Sequence, residues 1–207
     1  RSSQKLEGVG WLRHLRTPPF KVGIHFAQRW FNGSWLLPSE AGYSRALPLR
    51  WLPAFTAKSR PQVHAACKEW EAAVQFLAWV RDQFTSAGRS EQTVLLVGDG
   101  HYDTVSLWQR LPPQVILLAR SARNRVLWHL PDPAAHGNRK YGERALTPQQ
   151  VWQERRGWRR VTIQVRGKAR QLQVKVLGPV LRKPAAAVPL FLIVVRGKGN
   201  ANTRREP

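Results

Sequence analysis

Runs of apolar residues divide this chain into short strand-like segments separated by one long amphipathic stretch. Alternating apolar and polar residues predict a strand over residues 20–31. Asn32-Gly33 follows, and because both residues accept a positive φ, this pair predicts a tight hairpin turn with a returning strand over residues 34–38. Residues 47–52 predict an edge strand, kept short by Pro48 and Pro53.

The longest regular pattern lies in residues 62–84, where apolar residues recur at helical spacing. Gly88 marks its end, and the pattern therefore predicts one long helix with a buried stripe. Cys67, the single cysteine of the chain, lies on this stripe and is expected in the core. One cysteine excludes an internal disulfide and fits a reducing compartment.

Two apolar runs follow, at residues 94–97 and at residues 114–119, where only Gln114 is polar. They lie on either side of a predicted short helix over residues 104–111. Runs of this kind predict strands buried on both faces, and a crossover between them predicts that the strands are parallel. The first run ends at Asp99, between two glycines. In open α/β sheets the functional crevice lies beyond the carboxyl ends of the strands. Two interpretations of Asp99 are open here, a functional carboxylate and a helix cap.

The second half of the chain changes character at residues 131–157, which are rich in proline, glycine and charge and predict a long loop with a short helix near residues 148–154. Residues 159–166 and 170–177 then alternate strictly and are joined by Gly167-Lys168. This pattern predicts a hairpin with one apolar face and one basic face. Residues 188–195 predict a third, more buried strand.

The chain carries 34 Lys and Arg against 12 Asp and Glu, a formal net charge of +22. The excess is +5 over residues 1–103 and +17 over residues 104–207. Such a charge attracts polyanions, and arginine forks suit phosphate, so DNA or RNA is the expected partner. A membrane surface is not expected as a partner, because no strongly amphipathic basic helix is evident. With no signal peptide or membrane-length run, we expect the bacterial cytoplasm.

Few catalytic chemistries fit the residues. One cysteine and scattered histidines give no zinc pattern, and Gly98-Asp99-Gly100 lacks the residues of a nucleophile elbow or a P-loop. A carboxylate at a strand end in a very basic protein fits Mg²⁺-dependent phosphodiester chemistry, which needs more than one carboxylate. Asp103 is close in sequence but is a weak second ligand. His101 is a metal ligand, a phosphate contact or neither.

The motif Val97-Gly98-Asp99-Gly100-His101-Tyr102, after a hairpin and a long helix, resembles the second catalytic Asp of DDE-type insertion-sequence transposases, the DDE superfamily endonucleases. The resemblance implies an α/β, RNase H-like mixed sheet with flanking helices and a β-rich insertion. Residues 1–130 would be a partial catalytic core, and residues 131–207 a basic linker and the insertion. It also implies Asp99 as catalytic metal ligand, Mg²⁺ or Mn²⁺ as cofactor, transposon ends and target DNA as partners, and a homodimer of the full-length form.

The family's first Asp and final Glu have no counterpart in residues 1–207. Glu143 and Glu154 precede the insertion strands and are poor substitutes. The chain also contains no methionine, and we therefore expect a fragment whose full-length form cuts and joins DNA by two-metal phosphoryl transfer. The basic residues expected to contact phosphates are Arg120, Arg123, Arg125, Arg159, Arg160, Arg166, Lys168 and Arg170.

Two alternatives are left open. The first is a non-catalytic nucleic-acid-binding protein that uses the basic hairpin and the ten tryptophans as stacking platforms. Most tryptophans, including Trp30, Trp70 and Trp128, fit core positions better. The second is an unrelated α/β enzyme with another carboxylate beside Asp99 in a deep pocket.

Because only one of three expected metal ligands is present, we predict that this polypeptide alone neither nicks nor joins DNA. The measurement is a nicking assay with Mg²⁺ or Mn²⁺ on DNA that contains transposon ends, with Asp99→Ala as control. Robust cleavage that Asp99→Ala abolishes would contradict the prediction.

Overall fold

The computed structural model describes residues 8–13, 24–40, 42–55, 67–132, 134 and 139–197. The chain divides into two compact units. The first comprises Arg1–Leu36, Ala46–Leu95 and Arg110–Ile116, and the second comprises Leu37–Arg45, Leu96–Gln109 and Leu117–Pro207. The described residues form ten strands and three α-helices. In chain order they are β1 (Gly10–Arg13), β2 (Ile24–Ala27), β3 (Trp30–Leu36), β4 (Ala46–Pro53), α1 (Glu69–Ser86), β5 (Val94–Gly98), α2 (Val105–Trp108), β6 (Val115–Ala119), β7 (Trp128–His129), α3 (Pro148–Gln153), β8 (Arg159–Val165), β9 (Lys168–Arg182) and β10 (Ala185–Gly197).

The predicted RNase H-like α/β sheet is wrong. The strands form separate small sheets, namely the pairs β1–β2, β3–β4 and β5–β6 and one four-stranded sheet of β7 to β10. A mixed RNase H-like sheet would need the antiparallel strands of the first unit to pair with β5. Hydrophobic alternation predicts where strands lie, but the pairing depends on long-range contacts that the pattern does not encode.

Unit 1 is built on β3 and β4, which pair antiparallel, and on α1. Asn32 and Gly33 lie inside β3, so the predicted hairpin turn at this pair is wrong and the chain turns only after Leu36. The reason is a close approach of the helix: a Cβ atom on Gly33 would lie 2.2 Å from Cζ of Phe76. Gly33 is therefore needed for packing and not for a turn. The predicted edge strand over residues 47–52 is confirmed as part of β4.

The helix α1 buries one stripe, formed by Ala72, Ala73, Phe76, Leu77 and Val80. The helix begins at Glu69, after the extended N-cap residue Lys68, so the predicted helix is wrong at residues 67 and 68. Its predicted start, residue 62, lies outside the described residues. Its predicted end is confirmed: Gly88 has a φ of +69°. The N–H of Gly88 donates to the carbonyl of Thr85, and the N–H of Arg89 donates to the carbonyl of Phe84. This is the Schellman arrangement, which glycine favours. Within the described ranges, no helix is long and apolar enough to cross a membrane.

The strands β5 and β6 are paired. The N–H of Val94 bonds the carbonyl of Gln114 at one end, and the N–H of Arg120 bonds the carbonyl of Gly98 at the other. Both strands therefore run in the same direction, as predicted. The prediction of burial on both faces is wrong, because Leu95 is 58% and Ile116 57% exposed. A two-stranded pair leaves alternate side chains uncovered.

Unit 2 is dominated by the antiparallel hairpin of β8 and β9, with β10 on the other side of β9. The hairpin turn is Arg166-Gly167, both with positive φ, as a two-residue turn of this kind requires. The hairpin prediction is thus confirmed, with the turn one residue earlier. The core of the unit lies between this sheet and α3, and consists of Leu127, Ala145, Val151, Val180, Leu192 and Val194.

The faces of this sheet differ from the predicted division into apolar and basic. Val161 lies opposite Leu172 and Ile163 opposite Arg170, so arginine shares the face of the β-branched residues. This face is exposed, with Val176 at 56%. The opposite face carries Leu192 and Val194 and packs on the core. One buried face is enough to specify the register, so the second apolar face is left uncovered.

We predict that Gly33→Ala lowers the free energy of unfolding of unit 1 by about 1–3 kcal/mol, because the added methyl group overpacks Phe76. Gly88→Ala is the matched control: nothing lies within 4 Å of its Cβ position, so only backbone strain of about 1 kcal/mol is expected. Denaturant titrations of both variants provide the measurement. In a Phe76→Leu background the cost of Gly33→Ala should shrink; an unchanged cost would contradict the packing explanation.

Candidate functional site

Asp99 lies directly after β5, as predicted, and its side chain is exposed. Its Oδ1 accepts a hydrogen bond of 2.8 Å from the backbone N–H of His101 and caps the single 3-10 turn Gly100–Tyr102. The helix α2 is capped instead by Thr104, whose Oγ1 accepts from the N–H of Leu107. The cap interpretation of Asp99 therefore applies to the short turn and not to the predicted helix.

The buried carboxylate of the segment is Asp103, which is 8% exposed. Its Oδ2 accepts from Nη2 of Arg125 at 2.6 Å, and its Oδ1 from Nη1 of Arg182 at 2.5 Å. Nε1 of Trp108 donates to Oδ1 at 3.2 Å, and Oγ of Ser121 donates to Oδ2 at 3.3 Å. Nη1 of Arg182 also donates to the backbone carbonyl of Asp103 at 2.8 Å.

Both oxygens of Asp103 are thus occupied by arginine and are not open to a metal ion. Among the described residues, no three His, Cys, Asp or Glu side chains are grouped so that they could hold one. The described residues therefore do not make up the predicted Mg²⁺ site by themselves. Burial and the neighbouring charge of Arg125 lower the pKa of Arg182, and the carboxylate of Asp103 only partly offsets this.

Seven of the eight predicted phosphate-binding residues are exposed. Arg120 and Arg123 lie on the loop after β6, and Arg166 lies at the hairpin turn. Arg125 is the exception, because it is bound to Asp103. The remaining four lie on β8 and β9, with Arg159, Lys168 and Arg170 on one face of the hairpin and Arg160 on the other.

Residues 155–197 contain eleven Lys and Arg and no Asp or Glu. Three of these cations are partly buried and have structural partners. Lys175 pairs with Glu154, Arg182 pairs with Asp103, and Arg196 stacks on Trp158 at 3.9 Å. Lys183 is exposed but lies 3.6 Å from the ring centre of Trp128. The other seven have no ion pair with any residue that the structure describes. We call them the free cations of the sheet, although the first two lie on the loop just before β8: Arg155, Arg156, Arg159, Arg160, Arg166, Lys168 and Arg170.

The sequence interpretation missed Arg155 and Arg156 as surface cations, and Arg182 as a partner of Asp103. For Arg155 and Arg156 the sequence does carry a signal, because residues 155–197 contain no Asp or Glu. For Arg182 no local signal exists, since it lies 79 positions beyond Asp103.

Several tryptophans lie at the surface. Trp11 is 68%, Trp51 59% and Trp30 44% exposed, so the core prediction for Trp30 is wrong. Trp30 contacts Phe55 edge to face at 5.4 Å, but the described helix α1 packs against only one side of β3 and β4. Trp70 and Trp128 are half-buried.

No family model matches the chain, and neither the curated proteins nor the solved structures contain a match. The resemblance to DDE transposases therefore stays a prediction from the motif at Asp99. Among the described residues, one groove is lined by Arg144, Ala145, Leu146, Thr147, Gln149, Gln150 and Gln153, and another by residues 88–93. Neither includes Asp99, so the pocket expected for an unrelated α/β enzyme is not among them.

We predict that Asp103→Ala destabilises unit 2 by about 3–5 kcal/mol, because it leaves two partly buried guanidinium groups without their carboxylate. Asp99→Ala should cost only about 1 kcal/mol, the usual value of a lost cap. Thermal and denaturant unfolding of both variants tests this order. Equal costs would show that the ion pairs of Asp103 contribute little.

Proposed function

We propose that this chain binds DNA through the phosphate backbone and that it is the DNA-holding part of a transposase. The observation that carries the proposal is the free cations of the sheet, which lie in a stretch with no acidic residue. Each such cation that neutralises a phosphate releases a counterion from the DNA, and this release provides affinity that does not depend on sequence.

The difference in burial between the paired basic residues and the free cations supports this proposal. The cations with an ion-pair partner, Arg125, Lys175 and Arg182, are partly buried, whereas the free cations are exposed and have no ion pair within the described residues. Holding seven like charges on and directly beside one small sheet costs stability through mutual repulsion. A polyanion removes this repulsion when it binds.

The catalytic part of the proposal depends on the motif at Asp99 alone. In the full-length form Asp99 would bind Mg²⁺ or Mn²⁺ together with carboxylates that the described residues do not provide. The cut ends of the transposon and the target DNA would be the substrates. We place this activity in the bacterial cytoplasm, where the DNA is accessible.

The exposed tryptophans favour a second candidate, a non-catalytic protein that binds single-stranded nucleic acid. Trp51 lies opposite Asn32 on the paired strands β3 and β4 and is exposed. Exposed indole rings stack on unpaired bases at about 1–3 kcal/mol per base. This candidate needs a preference for single strands, which phosphate contacts alone do not give.

We predict that the chain binds duplex DNA of unrelated sequences with similar affinity and with a steep dependence on salt. Replacing Arg159, Lys168 and Arg170 together by alanine should lower the slope of log K against log [salt] by about 3, since each phosphate contact contributes about 0.9. Fluorescence anisotropy at a series of salt concentrations measures both quantities.

Arg89→Ala is the control, because Arg89 is an exposed arginine outside the sheet. Its slope should stay close to that of the parent chain. An unchanged slope in the triple variant would contradict the proposed interface. A strong preference for single strands that Trp51→Leu removes would favour the second candidate.

A further inference from the structure

Two of the exposed arginines, Arg120 and Arg123, lie on a loop that is held at both sides by one carboxylate. Ser121 and Arg125 bracket Arg123 in sequence, and both donate to Oδ2 of Asp103, at 3.3 and 2.6 Å. The loop is thus fastened immediately before and immediately after the exposed segment 122–124. We call residues 120–125 the basic loop.

The same carboxylate connects the basic loop to the sheet. Arg182 lies at the end of β9 and donates both to Oδ1 and to the backbone carbonyl of Asp103. Two backbone hydrogen bonds add to this attachment. The N–H of Arg120 bonds the carbonyl of Gly98, and the N–H of Gln149 bonds the carbonyl of Arg123.

The charges within this cluster are unequal. One carboxylate faces two guanidinium groups, and the side chains of Arg125 and Arg182 are only 28% and 15% exposed. Nε of Arg125 is buried and has no hydrogen-bond partner within the described residues. Arg125 is therefore held inward, while Arg120 and Arg123 face the solvent.

We infer that Asp103 is a positioning residue for DNA binding: its pairs with Arg125 and Arg182 hold the basic loop in the conformation that presents Arg120 and Arg123 to phosphates. The inference rests on the proposed DNA binding. In this role Asp103 raises the affinity for DNA, although its own negative charge repels DNA.

The test uses the fact that the electrostatic effect and the positioning effect of Asp103 change the affinity in opposite directions. Asp103→Asn makes the chain more positive, so a purely electrostatic effect would tighten binding to duplex DNA. Positioning predicts the reverse, a weakening of about tenfold and a salt slope lower by about 2, the value for two lost phosphate contacts. Glu154→Gln is the matched control. It changes the charge equally and breaks the pair with Lys175, so its affinity should be unchanged or higher.

A double-mutant cycle connects the effect to the two arginines. If Asp103 acts through them, Asp103→Asn should weaken binding less than twofold in an Arg120→Ala, Arg123→Ala background. Ser121→Ala, which leaves the charge unchanged, should weaken binding two- to threefold in the parent chain and not in this background. It also provides the test if Asp103→Asn does not fold.

Hydrogen exchange of the amides in residues 119–127 is the structural readout, and it should accelerate in Asp103→Asn and Ser121→Ala but not in Glu154→Gln. Binding of Asp103→Asn as tight as that of the parent, or additive effects in the cycle, would overturn the positioning role while DNA binding stands. A parent chain without salt-dependent binding would overturn both.

Discussion

The pairing of Asp103 with Arg125 and Arg182 is the constraint on which unit 2 depends. A nearly buried carboxylate is costly unless charged donors satisfy it. Here the donors come from the loop after β6 and from the end of β9, and Trp108 and Ser121 complete the set. One side chain thus fixes three segments that are far apart in sequence, and the surface arginines of the basic loop take their positions from it.

The rest of unit 2 is arranged so that it tolerates the excess of Lys and Arg over Asp and Glu. Structural cations are each matched to a carboxylate or an aromatic ring, as Lys175 is to Glu154 and Arg196 to Trp158. The free cations lie on exposed strand, turn and loop positions, where water screens them. The sheet is stabilised from its other face, where Leu192 and Val194 pack on the core with Val151. Of the free cations on the strands, Arg159, Lys168 and Arg170 therefore lie on the side of the sheet away from the core, and Arg160 lies on the other side.

Apolar surface is also left uncovered. Leu95 and Ile116 on the parallel pair, and Val161, Val176 and Ile193 on the sheet, are more than a third exposed. The sequence pattern does not show this exposure, because an apolar residue in a strand predicts burial whether or not another layer of the structure covers it. The same limit explains the exposure of Trp30, which was predicted in the core. Trp30 also begins the separate strand β3 and does not lie in the single strand predicted over residues 20–31.

The sequence by itself determined the local elements that have local causes: the end of α1 at Gly88, the hairpin of β8 and β9, the short helix α3 and the position of Asp99 after β5. Capping, turn chemistry and alternation act within a few residues, so they can be found in a window of sequence. Only the tertiary structure determined that the strands form separate small sheets, that Gly33 is needed for packing, and which residues pair with Asp103. These depend on contacts between distant segments, such as Gly33 with Phe76 and Asp103 with Arg182. For the same reason Asp99, prominent in the sequence, is an exposed cap, while Asp103 is the carboxylate that the fold requires.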